Sequence, residues 1–113
     1  MNLNKFIKNF RFNNVNFKSL NFFTKDKNYF NLYLKVLENH YDNNKDYSIE
    51  KFIISMISNQ VSRPTIFKII ERSLSKKFLL KEQNKNDKRK YILVPSQQTI
   101  KEFEEWAKLF KNL

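Results

Sequence analysis

The 113-residue chain contains no glycine and no cysteine, and it has only one histidine and two prolines. The absence of glycine excludes the glycine-rich loops that hold phosphates in nucleotide-binding proteins and the G-x-S-x-G turn of the α/β-hydrolases. The absence of cysteine excludes disulfides, thiolate zinc sites and thiol nucleophiles. No apolar run approaches the ~18 residues that a membrane span needs. The length predicts one small domain.

The chain is strongly basic, with 22 Lys and Arg against 11 Asp and Glu and a formal net charge of +11. Hydrophobic residues make up 41% and aromatic residues 16%, which is enough for a packed core. The excess charge predicts a polyanionic partner, with nucleic acid ahead of a membrane surface. Because 18 of the basic residues are Lys, beside 16 Asn and a single Ala, AT-rich coding explains part of the excess. The placement of the charge is therefore better evidence than its total.

The charge is concentrated in two parts of the chain. Ten basic and three acidic residues give residues 62–91 a net charge of +7, and residues 1–25 carry +5 without any acid. Residues 26–61 carry −1, and residues 92–113 are neutral. This separation favours a functional basic surface in residues 62–91.

Two helices are predicted before the basic segment. Apolar residues at three- and four-residue steps predict the first over residues 27–42. Its two apolar stripes are Tyr29, Leu32, Tyr33, Val36 and His40, and Phe30, Leu34, Leu37 and Tyr41. Two stripes indicate burial on two sides, inside the domain or against a second subunit. Ser48 is a favourable N-cap for the second helix, with Glu50 in its first turn. The buried face predicted for that helix is Ile49, Phe52, Ile53, Met56 and Ile57.

A third helix is predicted to begin near Ser62, which is a suitable N-cap, and Pro64 is tolerated in its first turn. Its predicted apolar face is Ile66, Phe67, Ile70, Leu74 and Phe78. The opposite face carries a stripe of Thr65, Lys68, Arg72 and Lys76. Two helices joined by a short turn, with a basic stripe on the second, are typical of a helix-turn-helix that contacts DNA.

A β-hairpin and a last helix follow. Leu79–Gln83 and Lys90–Val94 have strand propensity and are separated by a polar turn at 84–87. The predicted tip carries Lys85, Lys88, Arg89 and Lys90. Ser96 is a suitable N-cap for a helix over 97–113, which also has two apolar stripes. The order predicts a mainly α protein with a small β-hairpin wing, an α+β winged helix-turn-helix.

From Ser62 onward the chain resembles the MarR family of bacterial transcription regulators. The segments that carry the resemblance are Thr65-Ile66, Lys68-Ile69-Ile70-Glu71-Arg72, Lys76-Lys77-Phe78-Leu79-Leu80, Asp87-Lys88-Arg89 and Leu93-Val94-Pro95-Ser96. The segment 76–80 matches the exit of the recognition helix in that family. Asp87-Lys88-Arg89 matches the family's D-x-R wing signature. The resemblance covers about residues 28–110 and is specific over 62–97. The family usually has a glycine where this chain has Phe78.

The resemblance implies a DNA-binding transcription regulator. The third helix, about 62–78, would enter the major groove, and the wing, about 79–95, would contact the backbone or the minor groove. Arg89 would make the wing contact, with Asp87 orienting it. The predicted DNA-binding residues are Ser62, Arg63, Thr65, Lys68, Arg72, Lys76, Lys85, Lys88, Arg89 and Lys90.

Members of the family are typically homodimers, here through the helices at 27–42 and 97–113. Many respond to small phenolic or other ligands, although nothing in these residues identifies such an effector or a cofactor. We expect a cytoplasmic protein of a bacterium or phage, and not an enzyme. Residues 27–113 would form the winged helix-turn-helix domain, preceded by a basic aromatic arm or helix at 1–26.

Two questions stay open at this point. The first is whether the domain reads DNA, since a winged helix can also serve as a protein-interaction or scaffold module and a charged stripe can be a solvated face. The second concerns residues 1–26, which suit a DNA-contacting arm, a helix that completes a dimer or a cleaved transit peptide. His40 on an apolar face is more often a core or interface residue than a ligand, and no ligand spacing accompanies it.

Overall fold

The computed structural model of the chain describes residues 3–4 and 17–111. In this part of the chain, five helices accompany one two-stranded antiparallel sheet, which confirms the α+β class. The elements are α1 (Lys18–Thr24), α2 (Lys27–Tyr41), α3 (Ile49–Ser58), α4 (Arg63–Ser75), β1 (Leu79–Gln83), β2 (Tyr91–Pro95) and α5 (Gln97–Lys111). None of the described helices is long and apolar enough to span a bilayer. Residues 1–2 and 5–16 of the predicted arm and 112–113 of the predicted last helix lie outside the described residues.

Side-chain caps fix where four of the helices begin. Asp26 caps α2, since its carboxylate accepts a hydrogen bond from the Asn28 backbone N–H at 2.8 Å. Ser48, Ser62 and Ser96 each accept a hydrogen bond from the backbone N–H three residues later, at 3.3–3.4 Å. Each cap satisfies one of the N–H groups that a helix N-terminus leaves unpaired. Ser48 also forms a bridge to Ile92 of β2, so the start of α3 is tied to the sheet. All three serines were predicted as caps from the sequence.

The ends of α2, α3 and α4 show how the chain turns without glycine. Asn43, Gln60 and Lys77 follow these helices with φ values of 55°, 67° and 61°. In each case the next residue donates its N–H to the carbonyl five residues before it, at 2.8–3.1 Å. This is the Schellman arrangement, whose left-handed position is usually glycine because a Cβ is disfavoured there. The resemblance placed the missing glycine at Phe78, whereas the left-handed residue is Lys77 and Phe78 is buried.

Replacing Lys77 with glycine is expected to raise the free energy of unfolding by about 1 kcal/mol, because glycine adopts the left-handed backbone without a Cβ clash. Lys76→Gly is the matched control, since it removes the same charge one residue earlier, where φ is −77°. There glycine should destabilise by about 0.5–1 kcal/mol. The midpoint of urea denaturation measures the change in stability of each variant. Midpoints that shift in the same direction for the two variants would contradict the assignment of strain to Lys77.

The core lies where α1, α2, α3, α4 and the sheet meet. The largest fully buried side chains are Leu20, Phe23, Leu32, Tyr33, Val36, Phe52, Ile66, Ile69 and Leu79. Phe23 stacks on Tyr33 with ring centres 4.7 Å apart, and the ring centres of Phe22 and Phe78 are 5.3 Å apart. Each buried aromatic side chain contributes on the order of 2–3 kcal/mol of hydrophobic stabilisation. The core therefore includes α1, which belongs to the segment predicted as an arm or helix before the domain.

The buried face of α4 differs from the predicted one. Ile66, Ile69, Ile70 and Ser73 are buried, whereas Phe67 is 48% exposed. The prediction for Phe67 is therefore wrong, and the helix is rotated so that Ile69 faces the core. This rotation buries Ser73. The serine can be buried because its hydroxyl donates a hydrogen bond to the Ile69 carbonyl at 2.7 Å and so keeps a partner away from water. A count of apolar residues misses this position.

Four further residues of the predicted apolar faces are also exposed. Leu34 and Tyr41, in the second stripe of α2, reach solvent although Leu37 between them is buried. Ile57 of α3 is partly exposed, so the prediction of burial is wrong there. His40 is exposed at the last turn of α2 and is not a core residue. In the single chain, α2 is therefore buried mainly on its first stripe.

The start of α1 is capped by another helix. Its own N-cap, Phe17, makes no side-chain cap. Instead, a carboxylate oxygen of the buried Glu102, from α5, accepts hydrogen bonds from the Ser19 backbone N–H at 2.8 Å and the Ser19 hydroxyl at 2.7 Å. The other oxygen accepts from the Gln98 side-chain amide at 2.9 Å. A negative charge at a helix N-terminus is favourable, so this contact fixes α1 against α5.

Candidate nucleic-acid interface

The predicted DNA-binding residues at the start of α4 are accessible to different degrees. Ser62, Arg63 and Lys68 are exposed, whereas Thr65 is half-buried. The Ser62 and Thr65 hydroxyl oxygens are 2.8 Å apart, so the Thr65 hydroxyl is engaged in the helix cap. Thr65 is therefore less available to an external partner than its position in the stripe predicts, and Lys68 is the accessible side chain in this turn.

Three exposed basic residues of α4 and its C-cap lie along two edges of the helix. A helix turns by 100° per residue, which places Arg63 and Phe67 on one edge and Arg72 and Lys76 on the other. The first pair lines a cleft that α4 shares with the hairpin. The second pair lines a cleft that α4 shares with α1. Lys68 projects from the exposed face between these edges, together with Glu71.

The cleft beside the hairpin, which we call the hairpin cleft, brings together basic residues from distant parts of the chain. Its lining comprises Ser48, Ile49, Glu50, Ile53, Arg63, Phe67, Lys81, Arg89, Lys90 and Tyr91. Four of these side chains are cationic, and Glu50 is the one acidic group among them. Clefts lined by charge of one sign concentrate the electrostatic potential. The hairpin cleft is therefore suited to attract a polyanion.

The tip of the hairpin is organised by the buried Asn84. Its side-chain oxygen accepts hydrogen bonds from the backbone N–H groups of Asn86 and Asp87, at 2.8 and 3.2 Å. Its amide donates to the Lys45 carbonyl in the loop before α3, at 3.4 Å. The tip spans 84–90 and is longer than the predicted turn, so Lys90 precedes β2. Asn84 thus holds the tip in a fixed place relative to the helices.

Asp87 holds Arg89 at the hairpin tip. One carboxylate oxygen of Asp87 accepts from the Arg89 backbone N–H at 3.1 Å and from its Nε at 3.3 Å. These bonds, the backbone one first, lower the pKa of Asp87 below its ordinary value. The Arg89 side chain remains 92% exposed, so its terminal nitrogens face solvent. An exposed pair of this kind contributes little stability, and its effect is to orient the guanidinium.

The remaining predicted residues of the hairpin, Lys85 and Lys88, are exposed but do not line the hairpin cleft. The structure instead adds Phe67, Lys81 and Tyr91, which the sequence analysis did not assign to a site. The Lys81 ammonium lies 5.0 Å from the centre of the Tyr91 ring. The hairpin register would have indicated this pair, because Lys81 pairs with a residue two positions from Tyr91 and is its diagonal neighbour.

No family model, curated protein or solved structure matches the chain. Among the residues that the structure describes, no cluster of His, Asp and Glu could hold a metal ion. The geometry and charge of the surface around α4 are therefore the features that bear on function.

Proposed function

We propose that the chain is a winged helix-turn-helix DNA-binding transcription regulator. In this proposal α3 and α4 form the helix-turn-helix, α4 is the recognition helix, and β1 and β2 form the wing. The observation that carries the proposal is the hairpin cleft, where Arg63 at the start of α4 lies with Arg89 and Lys90 of the hairpin tip. A helix N-terminus and a hairpin that present cations to one cleft suit a phosphate backbone beside a groove that holds the helix.

The exposed face of α4 supplies groups that suit base edges. Lys68 is a donor that suits guanine O6 and N7, and Glu71 is an acceptor that suits cytosine N4. Arg63, Arg89 and Lys90 are assigned to phosphates, which position the helix without reading sequence. The exposed Arg89 guanidinium also suits a narrow minor groove, where the negative potential is strongest.

The proposal includes a homodimer formed through the helices at 27–42 and 97–113. Its support is the apolar surface that α2 leaves exposed at Leu34 and Tyr41. The Tyr41 hydroxyl donates to a carboxylate oxygen of Glu104 at 3.1 Å, which joins this surface to α5. A two-fold dimer predicts a palindromic binding site whose half-sites lie about one helical turn, 34–36 Å, apart. Selection of bound duplexes from a random pool, with the mass of the free protein in solution, tests both points.

Arg89→Ala is expected to weaken binding about tenfold for every duplex sequence, because it removes a backbone contact, whereas Lys68→Ala should alter preference at one base position. Lys51→Ala is the control, since Lys51 is an exposed cation of α3 that lines neither cleft. Fluorescence anisotropy with the selected duplex and single-base variants measures these effects. A chain that stays monomeric and has no duplex affinity at low salt would overturn the proposal in favour of a protein-interaction module.

A further inference from the structure

A second basic cleft lies on the other edge of α4, where that helix meets α1. We call it the α1–α4 cleft. Its charged lining consists of Lys18 and the C-cap Lys25 of α1, and of Arg72 and the C-cap Lys76 of α4. No described lining residue is acidic. All four side chains are exposed, with Phe22 and Phe78 at the base of the cleft. Two segments that are more than forty residues apart thus place four cations around one open space.

Aromatic groups hold two of these cations in position. The Lys25 ammonium lies 4.5 Å from the centre of the Phe22 ring and 4.8 Å from that of Tyr29. The Tyr29 hydroxyl accepts a hydrogen bond from an Arg72 guanidinium nitrogen at 3.2 Å. Tyr29 therefore contacts a cation from each wall of the cleft. A cation held over a ring is attracted to its face, and the ordering of both side chains lowers the entropy cost of binding an anion.

We propose that the α1–α4 cleft binds the phosphodiester backbone of the same duplex, on the side of α4 opposite the hairpin cleft. The inference rests on the proposed DNA-binding function. A major groove is about 12 Å wide and has a phosphate backbone along each wall. A helix inside it meets both backbones, and α4 is flanked by one basic cleft on each edge. α1 is thus part of the DNA-binding surface, and two of the five basic residues in residues 1–25 have a role.

The test compares Lys18→Gln/Lys25→Gln with the control Lys45→Gln/Lys51→Gln. Glutamine removes the charge, stays polar and keeps the first two methylenes of the stem. Both control lysines are exposed and line neither cleft. Binding of the selected duplex is measured by anisotropy over a range of salt concentrations. For the first pair we expect the slope of log K against log salt to become shallower by about 2 and affinity to fall about 10- to 30-fold near physiological salt. The loss should be equal for all duplex sequences.

The outcomes separate this inference from the proposed function. If Lys18→Gln/Lys25→Gln behaves like its control while Arg89→Ala still weakens binding and Lys68→Ala still alters base preference, the inference is overturned and the proposed function stands. If the unaltered chain binds no duplex, both fail. Tighter binding of polyglutamate than of the duplex, lost in the Lys18 and Lys25 variant, would overturn the inference in favour of an acidic protein partner.

Discussion

Glu102→Ala is expected to lower the free energy of unfolding by about 3 kcal/mol. The substitution leaves the backbone N–H and the hydroxyl of the buried Ser19 without their acceptor. An unsatisfied buried donor costs about 1–3 kcal/mol, and bonds to a charged acceptor lie at the upper end. Because α1 has no side-chain cap of its own, its first turn loses this capping contact from α5. For a domain of this size the loss corresponds to a fall of roughly 10–20 °C in melting temperature.

The matched control is Glu105→Ala, which makes the same exchange at an exposed position of α5. Ser19→Ala should cost only about 1 kcal/mol, since the backbone N–H keeps its acceptor. In a double-mutant cycle, the Ser19 and Glu102 substitutions should be strongly non-additive. Equal costs for Glu102→Ala and Glu105→Ala would show that the contact contributes nothing to stability.

The stability of the domain is expected to decrease steeply above pH 10, and Tyr33→Phe should remove part of that decrease. Tyr33 is completely buried, and its hydroxyl has no hydrogen-bond partner among the described residues. Burial, followed by the charges of Glu102 and Tyr41, raises the pKa of Tyr33 well above its ordinary value of 10.0. Above pH 10 the unfolded chain therefore loses a proton that the folded chain retains. Unfolding is then favoured by up to about 1.4 kcal/mol per pH unit for this group.

The slope of the unfolding free energy against pH distinguishes the contribution of Tyr33 from that of other titrating groups. Tyr33→Phe should make the slope of unfolding free energy against pH shallower by about 1 kcal/mol per unit between pH 10.5 and 12. Near neutral pH the same variant should be more stable by about 1 kcal/mol, because an unpaired buried hydroxyl is removed. Tyr91→Phe, at an exposed position, is the control. Denaturation in urea at a series of pH values gives both quantities, and identical slopes for the two variants would contradict the assignment.

Much of the fold could be predicted from local signals. Ser48, Ser62 and Ser96 indicated three helix starts, and the turn-forming residues near Asn84 indicated the hairpin. These features depend on contacts within a few residues, which a sequence displays directly. The helix over 27–42 was similarly evident, since its buried stripe repeats at a regular interval.

The features that escaped prediction depend on distant contacts. α1 was not placed because its aromatic residues follow no clean helical period and its cap, Glu102, is 83 residues from Ser19. Phe67 was misassigned because the rotation of α4 depends on a buried serine. In the candidate site, the stripe along α4 was evident. That Arg72 and Lys76 line the α1–α4 cleft, while Arg63 lines the hairpin cleft, depends on where α1 and the hairpin pack.

The left-handed residues at Gln60 and Lys77 have a consequence for how the sequence can change. Glycine at each would gain about 1 kcal/mol, whereas Asn43 gains less because asparagine accepts this backbone more readily. A typical substitution destabilises by about 1 kcal/mol. Two exchanges could thus offset two such substitutions elsewhere, including changes that adapt the basic surface to a different partner. Because the chain has no glycine, the ends of α3 and α4 are therefore two positions where a single substitution can still raise the stability of the fold.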